Sequence, residues 1–204
     1  NAVEPFPMKK FERKGKLKMI YHSTPWRGLN VLLGAMQIIK SKDVELDVYS
    51  STQIYGDKFK EANDNQYKDL YEQAKSLPNV NYVGYVSNDE IRKKLPDYDV
   101  YCFPSIWEET SCISAIESLA AGLHMITTNY GALYETCSEW PVYINYTEDY
   151  KQLAQLFAFS IDEVHAYLYK SQQQFYNQFY SWERRKGEWT NFLQGLLHEK
   201  RSKF

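Results

Sequence analysis

Residues 101–135, YCFPSIWEETSCISAIESLAAGLHMITTNYGALYE, constrain the fold more than any other stretch of the chain. A short apolar run (Val100, Tyr101, Cys102, Phe103) reads as a strand, Pro104 breaks it, and a polar loop follows. Ser111 is placed to cap the next helix through its hydroxyl. On that helix Ile113, Ile116, Ala120 and Ala121 fall at helical spacing and make one face apolar. A second strand follows at His124–Thr128. Strand, loop, helix start and strand is the α/β arrangement in which ligands bind at the carboxyl ends of the strands. Two carboxylates flank the helix start. Glu109 sits on the entering loop, and Glu117, eight residues on, lies at the edge of the apolar face. A carboxylate half under a core is costly unless something hydrogen-bonds it.

The rest of the chain repeats the alternation. Residues 1–15, broken by Pro5, Pro7 and Gly15, read as linker. In the strand Leu17–His22, Leu17, Met19 and Tyr21 alternate with Lys18, Ile20 and His22. Thr24 as N-cap with Pro25 at the first helical position predicts a helix start, followed by a stripe of Leu29, Leu32, Leu33, Met36 and Ile39. Arg27 then falls in a first turn, where the macrodipole disfavours a cation. Either it is an exposed arginine of small cost, or an anion held at that N-terminus reverses the argument, with Gly28 leaving room for close approach. Further strands are expected at residues 45–51, 81–84, 98–103 and 141–146, with a loop at 52–59 and a surface helix at 63–76. Ser87 and Glu90 form a capping-box pair. Tyr85, just after a strand, is either packing or a face for a base to stack on. Everything beyond Glu148 reads as helical. Ile161, Val164, Leu168, Phe175 and Phe179 trace one stripe, and Trp182, Trp189, Phe192, Leu193 and Leu196 another. The expected fold is α/β, a Rossmann-like parallel sheet with helices on both faces and long C-terminal helices.

Composition narrows the function classes. A formal net charge of -2 over 204 residues advertises neither nucleic acid nor an anionic membrane. No apolar run approaches the roughly 20 residues of a membrane-spanning helix. Cys102, Cys112 and Cys137 are an odd set without metal-ligand spacing, which fits a reducing, cytoplasmic setting. The 4 histidines are scattered, so no metal site is expected.

The pair Glu109 and Glu117 follows Phe103-Pro104-Ser105 and precedes Ala120-Ala121-Gly122, with Asn129-Tyr130-Gly131 beyond and Arg27-Gly28 upstream. This set resembles the nucleotide-sugar half of retaining GT-B glycosyltransferases, in particular glycosyltransferase family four. The resemblance implies that Glu117 bonds ribose hydroxyls and that Glu109, the catalytic candidate, lies near the transferred sugar. It implies that Arg27 and Gly28 meet the donor diphosphate, together with the helix start at Ser111, Cys112 and Ile113. The backbone at Tyr85 and Val86 would line the base pocket. A second basic residue of the family falls at His22, and the loop between the glutamates, usually glycine-rich, holds no glycine. The bland alternative for the glutamates is a solvated loop carboxylate and a helix-edge carboxylate.

By the same resemblance the donor is a UDP-, GDP- or ADP-sugar, no cofactor is tightly bound, and the hexosyl group is transferred with retention and without a metal. The chain starts at Asn1-Ala2-Val3-Glu4 without Met or signal peptide, like the family's interdomain segment, and so reads as a C-terminal half. Residues 1–15 would be linker remnant, 16–160 the donor domain, and 161–204 helices crossing back to an N-terminal domain. That domain would hold the acceptor, a glycan or lipid-linked glycan, with peripheral membrane association of the full-length protein; the half alone is expected to transfer nothing. Two rivals stay open: a GT-B-like non-transferase such as an epimerase, and a non-catalytic nucleotide-sugar-binding or interaction module.

Overall fold

A computed structural model describes residues 1–10, 15–41, 43–164 and 170–201, with the side chains of the last helix through residue 198. Its centre is a six-stranded sheet with every pair parallel. The strands are β1 (Leu17–His22), β2 (Val44–Tyr49), β3 (Val80–Tyr82), β4 (Val100–Phe103), β5 (His124–Thr128) and β6 (Val142–Ile144). Their spatial order is β3-β2-β1-β4-β5-β6, so the direction of winding reverses between β1 and β4. At such a reversal the loops leaving two neighbouring strands diverge and open a crevice at the carboxyl edge.

Helices cover both faces. On one side α1 (Leu29–Ile38) packs on α7 (Tyr150–Glu163) and on α3 (Lys68–Ser76). On the other, α5 (Ile113–Ala120) packs on α6 (Leu133–Cys137) and α8 (Lys170–Phe179). The double cover explains β1. Of its residues only Lys18 is exposed, so the alternation expected there fails: Ile20 and His22 are buried along with Met19 and Tyr21. Parallel strands roofed on both faces read as continuous apolar runs.

Three expectations need correction. Residues 52–59 are not a loop: Thr52–Tyr55 is a 3-10 turn, and α2 (Asp57–Asn63) follows it. The turn exists because the Ser51 hydroxyl accepts the Gln53 amide at 3.1 Å. The helix expected at 63–76 is α3 with a 3-10 turn, Asp64–Tyr67, before it. The third correction is α8, whose expected aromatic stripe points the wrong way. Phe175 is 39% exposed, whereas Gln172, Gln173 and Tyr176 are buried. (Leu168 of the same stripe lies outside the described residues.) The buried amides answer backbone groups that would otherwise be orphaned. Gln172 Nε2 donates to Leu119 and Leu123 carbonyls at the end of α5, at 3.3 and 2.9 Å.

Gln173 and Asn177 do the same for the N-terminal segment read as linker. Gln173 accepts the Lys9 amide at 2.9 Å and donates to the Pro7 carbonyl at 3.0 Å. Asn177 accepts the Phe6 amide and donates to its carbonyl, at 2.8 and 3.0 Å. Val3 and Phe6 are buried in the core, and the Val3 amide donates to the Tyr180 carbonyl at 2.8 Å.

α4 (Asn88–Lys94) carries the expected capping box of Ser87 and Glu90. The last helix, α9 (Trp182–Arg201), leaves Trp182, Trp189, Phe192, Leu193 and Leu196 exposed. No described helix is long and apolar enough to cross a membrane, and no metal-competent cluster of His, Cys, Asp and Glu occurs among the described residues.

Candidate functional site

Three loops, leaving β1, β4 and β5, meet at the winding reversal, and two glycines set how closely. Gly28 has φ 105°, and a Cβ there would lie 1.9 Å from the Pro104 carbonyl oxygen. Gly131 has φ 60°, and a Cβ there would lie 2.5 Å from the Glu109 amide nitrogen. Both positions therefore demand glycine twice over, for backbone angle and for space. The room at Gly28, expected to admit an anion, is taken by the chain's own Pro104. Beside Gly131, the Ala132 amide donates to the Glu109 carbonyl at 2.6 Å, which fixes the backbone that carries the carboxylate.

Arg27 ends a 3-10 turn, Pro25–Arg27, and so precedes α1 rather than standing in its first turn as expected. Thr24 is extended and its carbonyl accepts the Arg27 amide at 3.2 Å. Its hydroxyl, however, caps nothing and is buried without a partner. The Arg27 side chain crosses the reversal to the β4 loop. There Nη1 donates to both oxygens of Glu109, at 2.6 and 2.8 Å. Glu109 is only 4% exposed. Burial pushes its pKa up, and the Arg27 charge offsets only part of that. Arg27 Nε is buried and unpartnered.

The second carboxylate has its own cation. Glu117 Oε1 accepts from Arg92 Nη1 at 2.7 Å and from Asn88 Nδ2 at 3.3 Å, both on α4. Neither partner was anticipated. A buried carboxylate at 117 called for a cation, and α4 ends in Arg92-Lys93-Lys94, but nothing local says that α4 abuts α5. Ser118, next in the chain, lies 2.7 Å from His22 Nε2. Burial pulls the His22 pKa down to about 3, so at neutral pH the position brings a polar group and no charge.

At the start of α5 the N-cap is Cys112, not Ser111, and no side chain caps the turn. Ser111 Oγ instead accepts from Asn1 Nδ2 at 2.7 Å. The Cys112 thiol is buried, with its pKa pushed up to about 11, and so is a packing group. Ile113 is exposed. Helix N–H groups left uncapped at a crevice are ready donors for an anion. A pocket of about 260 Å³ has Tyr85, Val86, His22 and Asn88 on its wall. Tyr85 is 46% exposed, so of its two readings the structure disfavours packing. Arg27 and Glu109 are thus brought together across the reversal, and Glu117 is linked through Asn88 to the wall that carries Tyr85 and Val86.

A doubly wound parallel sheet with such a crevice defines a nucleotide-binding class of α/β domain. Within that class the chain belongs to the glycosyl transferases group 1 family, whose model matches residues 3–178. The fold is that of the nucleotide-sugar-binding half of GT-B enzymes, and solved glycosyltransferases share it. A glycosyltransferase from Rickettsia africae is 21% identical at a TM-score of 0.64, covering 86% of this chain and 47% of its own. The pneumococcal O-GlcNAc transferase GtfA, in complex with UDP and GlcNAc, is 15% identical at 0.72, covering 97% of this chain and 39% of its own. Anabaena HepE, in complex with UDP-glucose, is 15% identical at 0.66, covering 88% of this chain and 49% of its own. The chain thus spans about half the length of these structures or less. No curated protein matches it.

Proposed function

We propose that this chain is the donor-binding half of a two-domain GT-B glycosyltransferase. The enzyme moves a hexosyl group from a nucleotide-diphosphate sugar to a glycan or lipid-linked glycan, with retention and without a metal. One observation carries the reading: Glu117, on the helix that follows the Arg27–Glu109 pair, takes a hydrogen bond from Asn88 on the wall of the pocket that Tyr85 and Val86 also line. The base lies against that wall, and Glu117 accepts ribose hydroxyls. The diphosphate meets Arg27 and the uncapped start of α5. Its charge competes with Glu109 for the guanidinium, which turns the carboxylate toward the sugar. Fixed donors that stabilise the leaving diphosphate are electrostatic catalysis. The acceptor site belongs to an N-terminal domain joined through residues 1–15, and α9 crosses back onto it with its exposed aromatic face. Working in the cytoplasm, the full-length enzyme would touch a membrane only where its acceptor is lipid-linked. Family membership supports the activity class, and the UDP and UDP-glucose complexes of similar folds support the donor class.

The test is calorimetry of Arg27→Ala with UDP, GDP and ADP and with the matching nucleosides. A charged hydrogen bond is worth about 1.5–3 kcal/mol, so the diphosphate should weaken about tenfold or more while the nucleoside is unmoved. Equal losses for both ligands would remove Arg27 from the diphosphate. A second reading, a non-catalytic nucleotide-sugar-binding module, is favoured by one feature. Both glutamates are already neutralised by arginines of the same domain. A product assay on the full-length protein separates transferase, epimerase and module.

A further inference from the structure

The cation on Glu117 is tied to the N-terminal segment, whose first residue also reaches the α5 start through Asn1 and Ser111. Arg92 gives Nη1 to Glu117 Oε1 and Nη2 to the Glu4 carbonyl, each at 2.7 Å. Its guanidinium lies over the Phe6 ring, 4.2 Å from the centroid. Phe6 is itself buried and clamped by Asn177 through both backbone groups. One planar fork thus spans the gap between the N-terminal segment and a buried carboxylate, a geometry that lysine cannot reproduce. The two oxygens of Glu117 are unequal. Oε1 accepts from both Arg92 and Asn88, whereas Oε2 takes no hydrogen bond among the described residues. Fixing one oxygen of a carboxylate fixes the direction in which the other points.

We propose that Arg92 is the positioning residue for Glu117, and that through it residues 1–6 set how well the site discriminates ribose hydroxyls. The inference rests on the nucleotide-sugar reading above. The segment docked on Arg92 holds Oε2 toward a vicinal diol. The segment lifted away leaves Arg92 free to follow it, and the carboxylate loses its aim. Coupling of this kind is reciprocal: a diol held on Oε2 must favour the docked segment by the same factor.

The experiment compares UDP with 2′,3′-dideoxy-UDP on wild type, Arg92→Lys, Phe6→Ala and Phe6→Tyr. Phe6 touches Arg92 without entering the crevice, so Phe6→Ala loosens the fork from the far side. Arg92→Lys and Phe6→Ala should cut the UDP preference about tenfold, a charged hydrogen bond's worth, by weakening UDP alone. Phe6→Tyr should keep the wild-type preference. In wild type, saturating UDP should slow hydrogen exchange at the Val3 and Phe6 amides, and in Arg92→Lys it should not. Equal weakening of both nucleotides, an unchanged preference in Arg92→Lys, or exchange indifferent to UDP overturns the inference while nucleotide binding stands. If wild type binds no UDP, GDP or ADP, the nucleotide-sugar reading falls and takes the inference with it.

Discussion

Arg27 and Glu109 neutralise each other at 2.6 Å, so anything that discharges the carboxylate frees the guanidinium. Glu109 has a raised pKa, so it takes its proton at a higher pH than an ordinary carboxyl. As pH falls through that value, Arg27 is released, and affinity for UDP-glucose should rise, since the diester phosphates of that donor do not titrate there. Glu109→Gln should bind UDP-glucose about tenfold tighter than wild type at neutral pH, with the acid-side rise abolished. Titrations at several pH values read both effects, and a flat wild-type profile would count against the pairing. His22 has the opposite sign in stability. Its folded pKa is lowered from 6.5 to about 3, so its contribution is present above 6.5 and is lost as pH falls from there toward 3. Each unit is worth about 1.4 kcal/mol, so the loss is on the order of a few kcal/mol. His22→Gln, which keeps a polar group near Ser118, should flatten the urea midpoint across that window. The two carboxylates were visible in the sequence because their flanking motifs are local. Their arginines were not, because each partner comes from another loop or helix, and only the closed sheet brings them together.

At the scale of elements, the limits of β1 and β5 follow from the sequence because apolar runs between breakers define them. The other four strands are each shorter than expected, β2 and β4 inside the sheet as well as β3 and β6 at its edges: residues 98–99 lie outside β4 and 50–51 outside β2. The capping box on α4 was legible because both its members lie within one turn. α8 was not, because periodicity says that a helix has an apolar stripe without saying what the neighbour offers. Here the neighbours offer backbone: the end of α5 and the extended segment 6–9. Gln173→Leu should therefore destabilise the domain although it adds an apolar side chain to a buried position. It would strip partners from the Lys9 amide and the Pro7 carbonyl. An unsatisfied buried group costs about 1–3 kcal/mol, so a loss of at least that size is expected in chemical denaturation. No loss would mean that water replaces the amide.

At the scale of the whole molecule, the proposed two-domain reading puts every donor-side candidate within this sheet-and-helix unit, and compact units of this size can fold alone. Transfer needs donor and acceptor held in near-attack geometry, which half of a cleft cannot supply. The chain by itself should therefore bind a nucleotide sugar weakly, at roughly tens of micromolar to millimolar, and transfer nothing. A binding titration run beside a radiolabelled-donor assay with glycan acceptors checks both parts. Turnover by this chain alone would overturn the two-domain reading.

Residues 1–3 run alongside 180–185: Val3 pairs with Ser181, and Arg185 Nε donates to the Asn1 carbonyl at 3.2 Å. The polypeptide thus comes into the sheet-bearing body and departs from it at a single spot. On the proposed two-domain reading, a body held in this way would swivel without stretching either flanking segment, since neither would have to span its width. The same adjacency makes the body portable. Bridging residue 3 to residue 181 with a short connector, and opening the chain at an exposed loop elsewhere, would reorder the sequence while leaving the order β3-β2-β1-β4-β5-β6 untouched.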